Sequence, residues 1–387
     1  MIDDELEITW EEIASVKETY RIIDIRDSVS VSYGKVAGAW ALTPGELMEQ
    51  VEELRSLDLV ALYCMHGIES LRLAKQLREA GVNAYSLKGG YAEWLQMRME
   101  QEPEEDICEK IESGIRKRYH KKLFSKFAKA INTYQLVQEN DRIAVCISGG
   151  KDSMLMAKLF QELQRHRKFP FELVFLVMDP GYSAANRKAI EYNAKILRIP
   201  ITIFESEIFN VVDEVDKSPC YLCARMRRGH LYSKAKELGC NKIALGHHYD
   251  DVIETILMGM MYGGQIQTMM PKLHSTNFPG MELIRPLYLI READIKRWRD
   301  ENDLHFLQCA CHFTETCTSC NEDGQSASKR MEIKKLIARL KESNPYIESN
   351  IFKSVENVAL DTVIAYKTKG KRISFLDHYD EVTSSDE

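Results

Sequence analysis

Ser148-Gly149-Gly150-Lys151-Asp152-Ser153 stands between the apolar run Ile143 to Ile147 and an amphipathic stretch from Ser153 to His166. Two glycines let backbone N–H groups turn toward an oxyanion, a helix opening there adds the positive end of its dipole, and Lys151 adds a full countercharge. The chemistry is that of a phosphate cradle. A chance turn carrying a solvated lysine would not require strand, loop and helix in this order. The GxxxxGK[ST] spacing of the Walker loop is absent, so the cradle is of another kind.

Sulfur supplies the second group of candidates. Ten cysteines without a secretory signal argue for thiol, metal or sulfur chemistry rather than a disulfide framework. Cys64, Cys108, Cys146 and Cys240 stand singly, Cys220 and Cys223 form a CxxC pair, and Cys309, Cys311, Cys317 and Cys320 crowd together. A CxxC spacing lets two thiols reach one metal from a turn, and alone it is open to zinc, a redox pair or packing. Asp251, at an expected helix start beside the ligand edge of a sheet, is a candidate for substrate or Mg²⁺ contact. His247 and His248 read as satisfied hydrogen-bonding residues at a strand end.

A net charge of −7 hides a local field. Between Glu112 and Glu139 there is no acidic residue, while Arg116, Lys117, Arg118, Lys121, Lys122, Lys126 and Lys129 accumulate around Tyr119, Phe124 and Phe127. This stretch is expected to be a basic helix holding an RNA backbone, against the simpler reading of a solvated helix face.

These groups need elements to position them. Residues 1–100 alternate strand-like runs (Arg21 to Ile25, Leu59 to Tyr63, Ala84 to Leu87) with a helix over Ser70 to Ala80, and form a small α/β domain. Residues 101–138 make an acidic linker and the basic helix. The alternation restarts over 139–330: strands at Arg142 to Ile147, Phe171 to Met178, Ile201 to Phe204 and Lys242 to Leu245, with helices at Ser153 to His166, Ala184 to Leu197, Ala224 to Leu238 and Asp251 to Met261. Such spacing predicts right-handed crossovers and a doubly wound parallel sheet, which binds ligands at the carboxyl ends of its strands. Residues 331–368 look helical, in a C-terminal region 331–387 that ends in a disordered tail. The acidic start and strand-length apolar runs such as Leu173 to Met178 predict a cytoplasmic protein with no membrane span.

SGGKDS resembles the signature of PP-loop ATPases, which cleave ATP to AMP and pyrophosphate. Pro219-Cys220-Tyr221-Leu222-Cys223-Ala224-Arg225-Met226-Arg227-Arg228-Gly229 resembles the CxxCxxxRRG stretch of the tRNA 2-thiocytidine synthetase family. Leu245-Gly246-His247-His248-Tyr249-Asp250-Asp251, Met261-Tyr262-Gly263-Gly264 with Pro271-Lys272-Leu273, Arg285-Pro286-Leu287 and Arg291-Glu292 continue the likeness over about residues 110 to 310. The resemblance implies an ATP site at Ser148 to Ser153 with Gly246. It also implies a [4Fe–4S] cluster on Cys220, Cys223 and Cys309, one iron being left open to take sulfur. The chain departs from the family after Cys309: His312 stands where the next cysteine is expected. Cys311, Cys317 and Cys320 are extra, whether as a separate Zn²⁺ site, a sulfur relay or packing.

The N-terminal region resembles a rhodanese domain through Ile23-Asp24-Ile25-Arg26-Asp27, Tyr33-Gly34-Lys35-Val36-Ala37-Gly38-Ala39, Leu62-Tyr63-Cys64 and Leu87-Lys88-Gly89-Gly90-Tyr91 with Trp94. The likeness implies a persulfide on Cys64, whose pKa a following helix would depress. Glu69 replaces an arginine common in thiosulfate-using relatives and would repel that anion; a purely structural rhodanese fold is the alternative.

The expected function is ATP-dependent tRNA thiolation. A nucleobase C2 oxygen, most simply of an anticodon-loop cytidine, is adenylated through Lys151, Asp152 and Asp251 and replaced by sulfur, with Cys64 as relay. The partners are tRNA and a sulfur donor such as a cysteine desulfurase; a homodimer is left open. The rival readings are a PP-loop ligase or amidotransferase acting on a small molecule, and a zinc-stapled RNA-binding protein with an inactive ATP loop.

Overall fold

A computed structural model of the chain describes residues 6–16, 19–31, 34–100, 107–166, 168–206, 219–306 and 329–381. Two compact units separate: Met1–Tyr249 with Met270–Gln325, and Asp250–Met269 with Ser326–Glu387. The expected boundary near residue 100 therefore falls inside the first unit, which holds one parallel sheet and one mostly parallel sheet.

The first sheet has five strands: β1 (Glu7–Ile8), β2 (Tyr20–Asp24), β3 (Trp40–Ala41), β4 (Leu59–Tyr63) and β5 (Ala84–Leu87), in the order β1-β5-β4-β2-β3. Every pairing is parallel. All five residues of β4 are buried, as expected where helices cover both faces of a parallel sheet. Cys64 follows directly at its carboxyl end. Helix α1 (Ile68–Glu79) begins four residues on, and α2 (Gly90–Glu100) closes the domain.

Helix α3 (Ile107–Arg116), a turn, and α4 (Phe124–Thr133) lead into the second sheet. Its strands are β6 (Arg142–Ile147), β7 (Glu172–Asp179), β8 (Ile201–Glu205), β9 (Lys242–Ala244), β10 (Lys272–His274) and β11 (Glu282–Ile284), in the order β10-β11-β9-β6-β7-β8. Only β10 runs antiparallel to its neighbour. Helices α5 (Lys151–Arg165), α6 (Ala184–Ile196), α7 (Pro219–Glu237) and α9 (Glu292–Glu301) attend this sheet, with α8 (Tyr249–Gly263) opening where the first unit ends. From β6 the chain proceeds through β7 to β8 on one side, then returns to lay β9 on the other. The strand order thus reverses between β6 and β9, and the crevice at their carboxyl ends is the place where such sheets bind ligands.

The basic stretch is not one continuous helix. Residues 117–123 form the turn between α3 and α4, and its apolar members face inward: Tyr119, Leu123, Phe124 and Phe127 are buried in the core under β6 and α5. Packing fixes this geometry. Buried Lys158 of α5 pairs with Glu112 of α3 at 2.7 Å and donates to the Leu197 carbonyl, pinning α3 to the domain.

The second unit contains α8 beyond Tyr249, α10 (Lys329–Ser343) and α11 (Ile347–Ser354). The helical expectation for 331–368 ends at Ser354. Ala365–Thr368 (β12) and Lys371–Ser374 (β13) instead form an antiparallel hairpin, its tight turn made by Lys369 and Gly370, both at positive φ. Among the described residues, no helix is long and apolar enough to cross a membrane.

Candidate functional site

The phosphate loop spans the short gap between β6 and α5. Gly149 adopts φ +83°, a backbone conformation that side chains resist, and Gly150 is extended at the N-cap. The N-cap residue Gly150 has no side chain with which to cap the first turn of α5, so the amides of that turn are open to an anion at the carboxyl end of β6. The loop is braced from within. The Ser148 amide donates to Ser153 Oγ at 3.1 Å, and that hydroxyl donates to the Gly150 carbonyl at 2.9 Å.

The loop after β9 closes the other side of the reversal point. A Cβ at Gly246 would stand 3.2 Å from the Ser153 amide nitrogen and 3.4 Å from the Asp152 carbonyl carbon. Two backbones meet here, and a side chain at this position would have to push one of them back by a few tenths of an ångström. Sequence reasoning tied Gly246 to this site through family likeness alone; the close approach gives the physical cause.

Lys151 is 2% exposed, with Nζ 3.0 Å from Asp152 Oδ2 and 3.4 Å from Glu292 Oε1. Glu292 opens α9 and carries no role in the sequence reading, although it belongs to one of the matching motifs. Among the described residues the other Asp152 oxygen, Oδ1, is buried without a hydrogen-bond partner, His248 Nε2 being 3.9 Å away and beyond hydrogen-bond reach. An orphaned carboxylate oxygen beside a phosphate cradle has the chemistry of a Mg²⁺ ligand. Asp251 lies in the second unit, where it accepts from Arg330 Nη1 at 2.7 Å; Arg330 also reaches Glu254 at 3.4 Å.

The cysteines assigned to a cluster fall partly outside the described residues. Cys220 and Cys223 occupy the first turn of α7, three residues apart, whereas Cys309, Cys311, Cys317 and Cys320 lie beyond the described range. The donor set of three thiolates is the kind that iron–sulfur clusters take. Helix α7 is anchored at the carboxyl edge of the sheet: Arg227 Nη2 donates to the Tyr182 hydroxyl at 2.9 Å, and the Tyr182 amide donates to Asp179 Oδ1, at the end of β7, at 2.7 Å. Asp179, Tyr182 and Arg227 escaped notice as a group because nothing local in the sequence joins them.

In the N-terminal domain the Gly67 amide donates to Cys64 Sγ at 3.2 Å and the Ser70 hydroxyl approaches it at 3.5 Å. Burial pushes the Cys64 thiol up, but the Ser70 hydroxyl and the amides of Ser70, His66 and Glu69 outweigh it and hold the pKa below the ordinary thiol value. Gly90, at φ +62°, underlies the loop; a Cβ there would lie 2.6 Å from the Cys64 carbonyl oxygen. Glu69 is not an isolated charge, since Arg72 one turn later pairs with it. Its repulsion of an anionic donor is correspondingly tempered.

The two domains of the first unit touch through aromatic groups. The Tyr91 hydroxyl lies 3.0 Å from His305 Nδ1, and Trp94 meets the His305 ring edge-on at 4.7 Å between centroids. Arg98 pairs with Asp303 at 2.7 Å, and the Tyr91 amide donates to the Cys64 carbonyl at 2.9 Å. The cysteine loop is thereby connected to the segment preceding Cys309.

A glycine-braced phosphate loop meeting a second loop at the reversal point of a parallel sheet, behind a cysteine cradled by helix-opening amides, defines a PP-loop protein carrying a rhodanese-like domain. Residues 118–311 match the PP-loop domain family and residues 9–97 the rhodanese-like domain. The chain is 36% identical over 245 residues to the tRNA-cytidine(32) 2-sulfurtransferase of Coxiella burnetii (strain RSA 493 / Nine Mile phase I), covering 62% of this chain and 91% of the relative. It is 33% identical over 247 residues to the protein of the same name from Syntrophotalea carbinolica, covering 63% and 92%. The chain belongs to this family of PP-loop tRNA-cytidine 2-sulfurtransferases. Among solved structures, the U34-tRNA thiolase NcsA from Methanococcus maripaludis with its [4Fe-4S] cluster is similar at 22% identity and a TM-score of 0.47, over 60% of this chain and 76% of that one.

Proposed function

We propose that this chain thiolates tRNA, replacing the C2 oxygen of a cytidine with sulfur at the expense of ATP. The observation that carries the reading is the close approach of Gly246 to the backbone of Asp152 and Ser153, beside the buried Lys151.

There the first-turn amides of α5 and the Lys151 ammonium hold the phosphates of ATP. Asp152 Oδ1 would carry a Mg²⁺ ion that binds with the nucleotide, and Asp251, in the second unit, would offer a carboxylate to the substrate. The cytidine O2 attacks the α-phosphorus and pyrophosphate departs, so a poor oxygen leaving group becomes AMP. Sulfur then adds at C2, and the C–O bond breaks with the oxygen retained on AMP. Cys220, Cys223 and Cys309 would hold a [4Fe–4S] cluster, which supplies an iron able to carry sulfur when it is bound. Cys64 would take sulfur from a donor such as a cysteine desulfurase as a persulfide, and its release as sulfide requires a thiol reductant. Position 32 of the tRNA, named for the relatives, is the expected target.

The test is nucleoside mass spectrometry of tRNA from cells with and without the gene, combined with product analysis of ATP turnover in vitro. Loss of 2-thiocytidine, with AMP and pyrophosphate as products, is expected. Formation of ADP and phosphate, or thiolated nucleosides unaltered by deletion, would refute it.

A further inference from the structure

The hairpin β12–β13 lies beyond residue 311, where the match to the PP-loop domain ends. Its ten residues Ala365 to Ser374 carry Lys367, Lys369, Lys371 and Arg372 and no acidic side chain. All four cations are exposed, and none forms an ion pair among the described residues.

Three features of this hairpin are unfavourable for an isolated two-stranded ribbon, which is marginal in water at best. Lys367 stands directly opposite Arg372 in the register, a like-charge pair that destabilises the ladder. Lys369 occupies the first central position of the two-residue turn at φ +46°, where asparagine, aspartate or glycine is preferred. Ile364, Phe375, Leu376 and Tyr379 flank the strands at 76%, 48%, 66% and 65% exposure. Phe375 and Tyr379 meet edge-on at 6.2 Å. A polyanion carrying aromatic bases relieves all three at once: phosphates separate the facing cations and reward the lysine at the turn, and bases stack on the exposed rings.

We propose that the hairpin Ala365–Ser374 docks the RNA substrate, its basic tip lying along the sugar–phosphate backbone and Phe375 and Tyr379 receiving unpaired bases. The proposal rests on the reading of tRNA as substrate. It adds to the core enzyme a contact that the PP-loop domain does not contain.

The experiment is fluorescence anisotropy of labelled tRNA with the full chain, titrated from about 50 to 200 mM salt, the range over which phosphate contacts dominate the change in affinity. Lys369→Asn removes a charge while suiting the turn better, so the fold is retained. Each lost phosphate contact removes about 0.7 to 0.9 from the log–log salt slope, so Lys369→Asn combined with Lys371→Gln and Arg372→Gln should lower it by roughly 2 to 3. Phe375→Ala with Tyr379→Ala should weaken binding and leave the slope unaltered. Wild-type slope and affinity in the charge variants would overturn the hairpin proposal alone. Failure of the wild-type chain to bind tRNA would instead remove the substrate reading beneath it. Unaltered tRNA binding with lost capture of an acidic protein sulfur donor would assign the hairpin to a protein and overturn the proposal.

Discussion

The Tyr91 hydroxyl and His305 Nδ1 lie 3.0 Å apart, joining the domain that carries Cys64 to the segment that precedes Cys309. The bond is reinforced by the edge-on Trp94–His305 contact and the Arg98–Asp303 pair. Aromatic contacts of this kind contribute about 0.5–1.5 kcal/mol beyond area burial, and the hydrogen bond about as much again. Trp94→Ala with Tyr91→Phe should therefore loosen the domain contact and lower thiolation supported by a cysteine desulfurase several-fold, while thiolation driven by excess sulfide is retained. Equal losses with both donors would mean that the contact serves stability alone.

The Gly246 approach predicts a second outcome. Gly246→Ala brings a methyl group within 3.2 Å of the Ser153 amide, so the phosphate loop must yield by a few tenths of an ångström. A misplacement of about 1 Å can cost about 10²-fold in rate, so this smaller shift should cost less than that. ATP-dependent AMP formation should fall without loss of secondary structure by circular dichroism. Lys151→Ala removes the countercharge itself and should cost roughly 10²–10³-fold; wild-type turnover in either variant would place the nucleotide elsewhere.

Iron chemistry gives a third. Protein purified without oxygen should be brown and contain acid-labile sulfide, and Cys220→Ala, Cys223→Ala and Cys309→Ala should each lose both, whereas Cys311→Ala should not. Retention of iron by Cys309→Ala with loss in Cys311→Ala would transfer the third ligand to Cys311. Zinc alone in the wild-type protein would favour the RNA-binding reading.

The basic stretch shows where local sequence misleads. Arg118 pairs with Glu301, Lys122 with Asp294 and Arg116 with Glu162, all from distant parts of the chain. A window free of acids is not free of acidic neighbours. Lys117, Lys121, Lys126 and Lys129 remain exposed, so charge reversal at Lys117 and Lys121 should flatten the salt dependence of tRNA binding, while Lys122→Glu should also disturb the contact with α9. An unaltered slope after reversal at Lys117 and Lys121 would show that the RNA avoids this face.

The strands β4 and β6 were legible because both faces of a parallel sheet are covered, which leaves runs such as Leu59 to Tyr63 and Ile143 to Ile147 almost wholly apolar. The hairpin β12–β13 was not, since Ala365-Tyr366-Lys367-Thr368 is short and half-exposed and its turn is Lys-Gly rather than Asn-Gly. In the site, the loop 148–153 is contiguous and could be read directly. Glu292 beside Lys151 and Arg227 beside Tyr182 are brought together only by the fold, so their types carried no local signal.

Cys64 provides the last prediction. Burial raises its pKa, yet the Ser70 hydroxyl and the surrounding amides lower it below the ordinary thiol value, so the reactive thiolate persists to lower pH than in a free cysteine. The rate of Cys64 alkylation against pH should accordingly have its midpoint below that of an unperturbed thiol. Ser70→Ala, which deletes the 3.5 Å hydroxyl contact, should move that midpoint upward. Reactivity alone does not make a relay, but tethering would favour one, because a linked donor meets its acceptor at an effective concentration on the order of millimolar. Cys64→Ala should lower thiolation supported by a desulfurase and cysteine and spare thiolation driven by excess sulfide. Glu69→Arg should raise thiosulfate cleavage only modestly, because Arg72 already offsets the native carboxylate. A turnover series with both donors on the wild-type protein and Cys64→Ala decides the matter: equal desulfurase-supported rates would make the N-terminal domain a scaffold rather than a sulfur carrier.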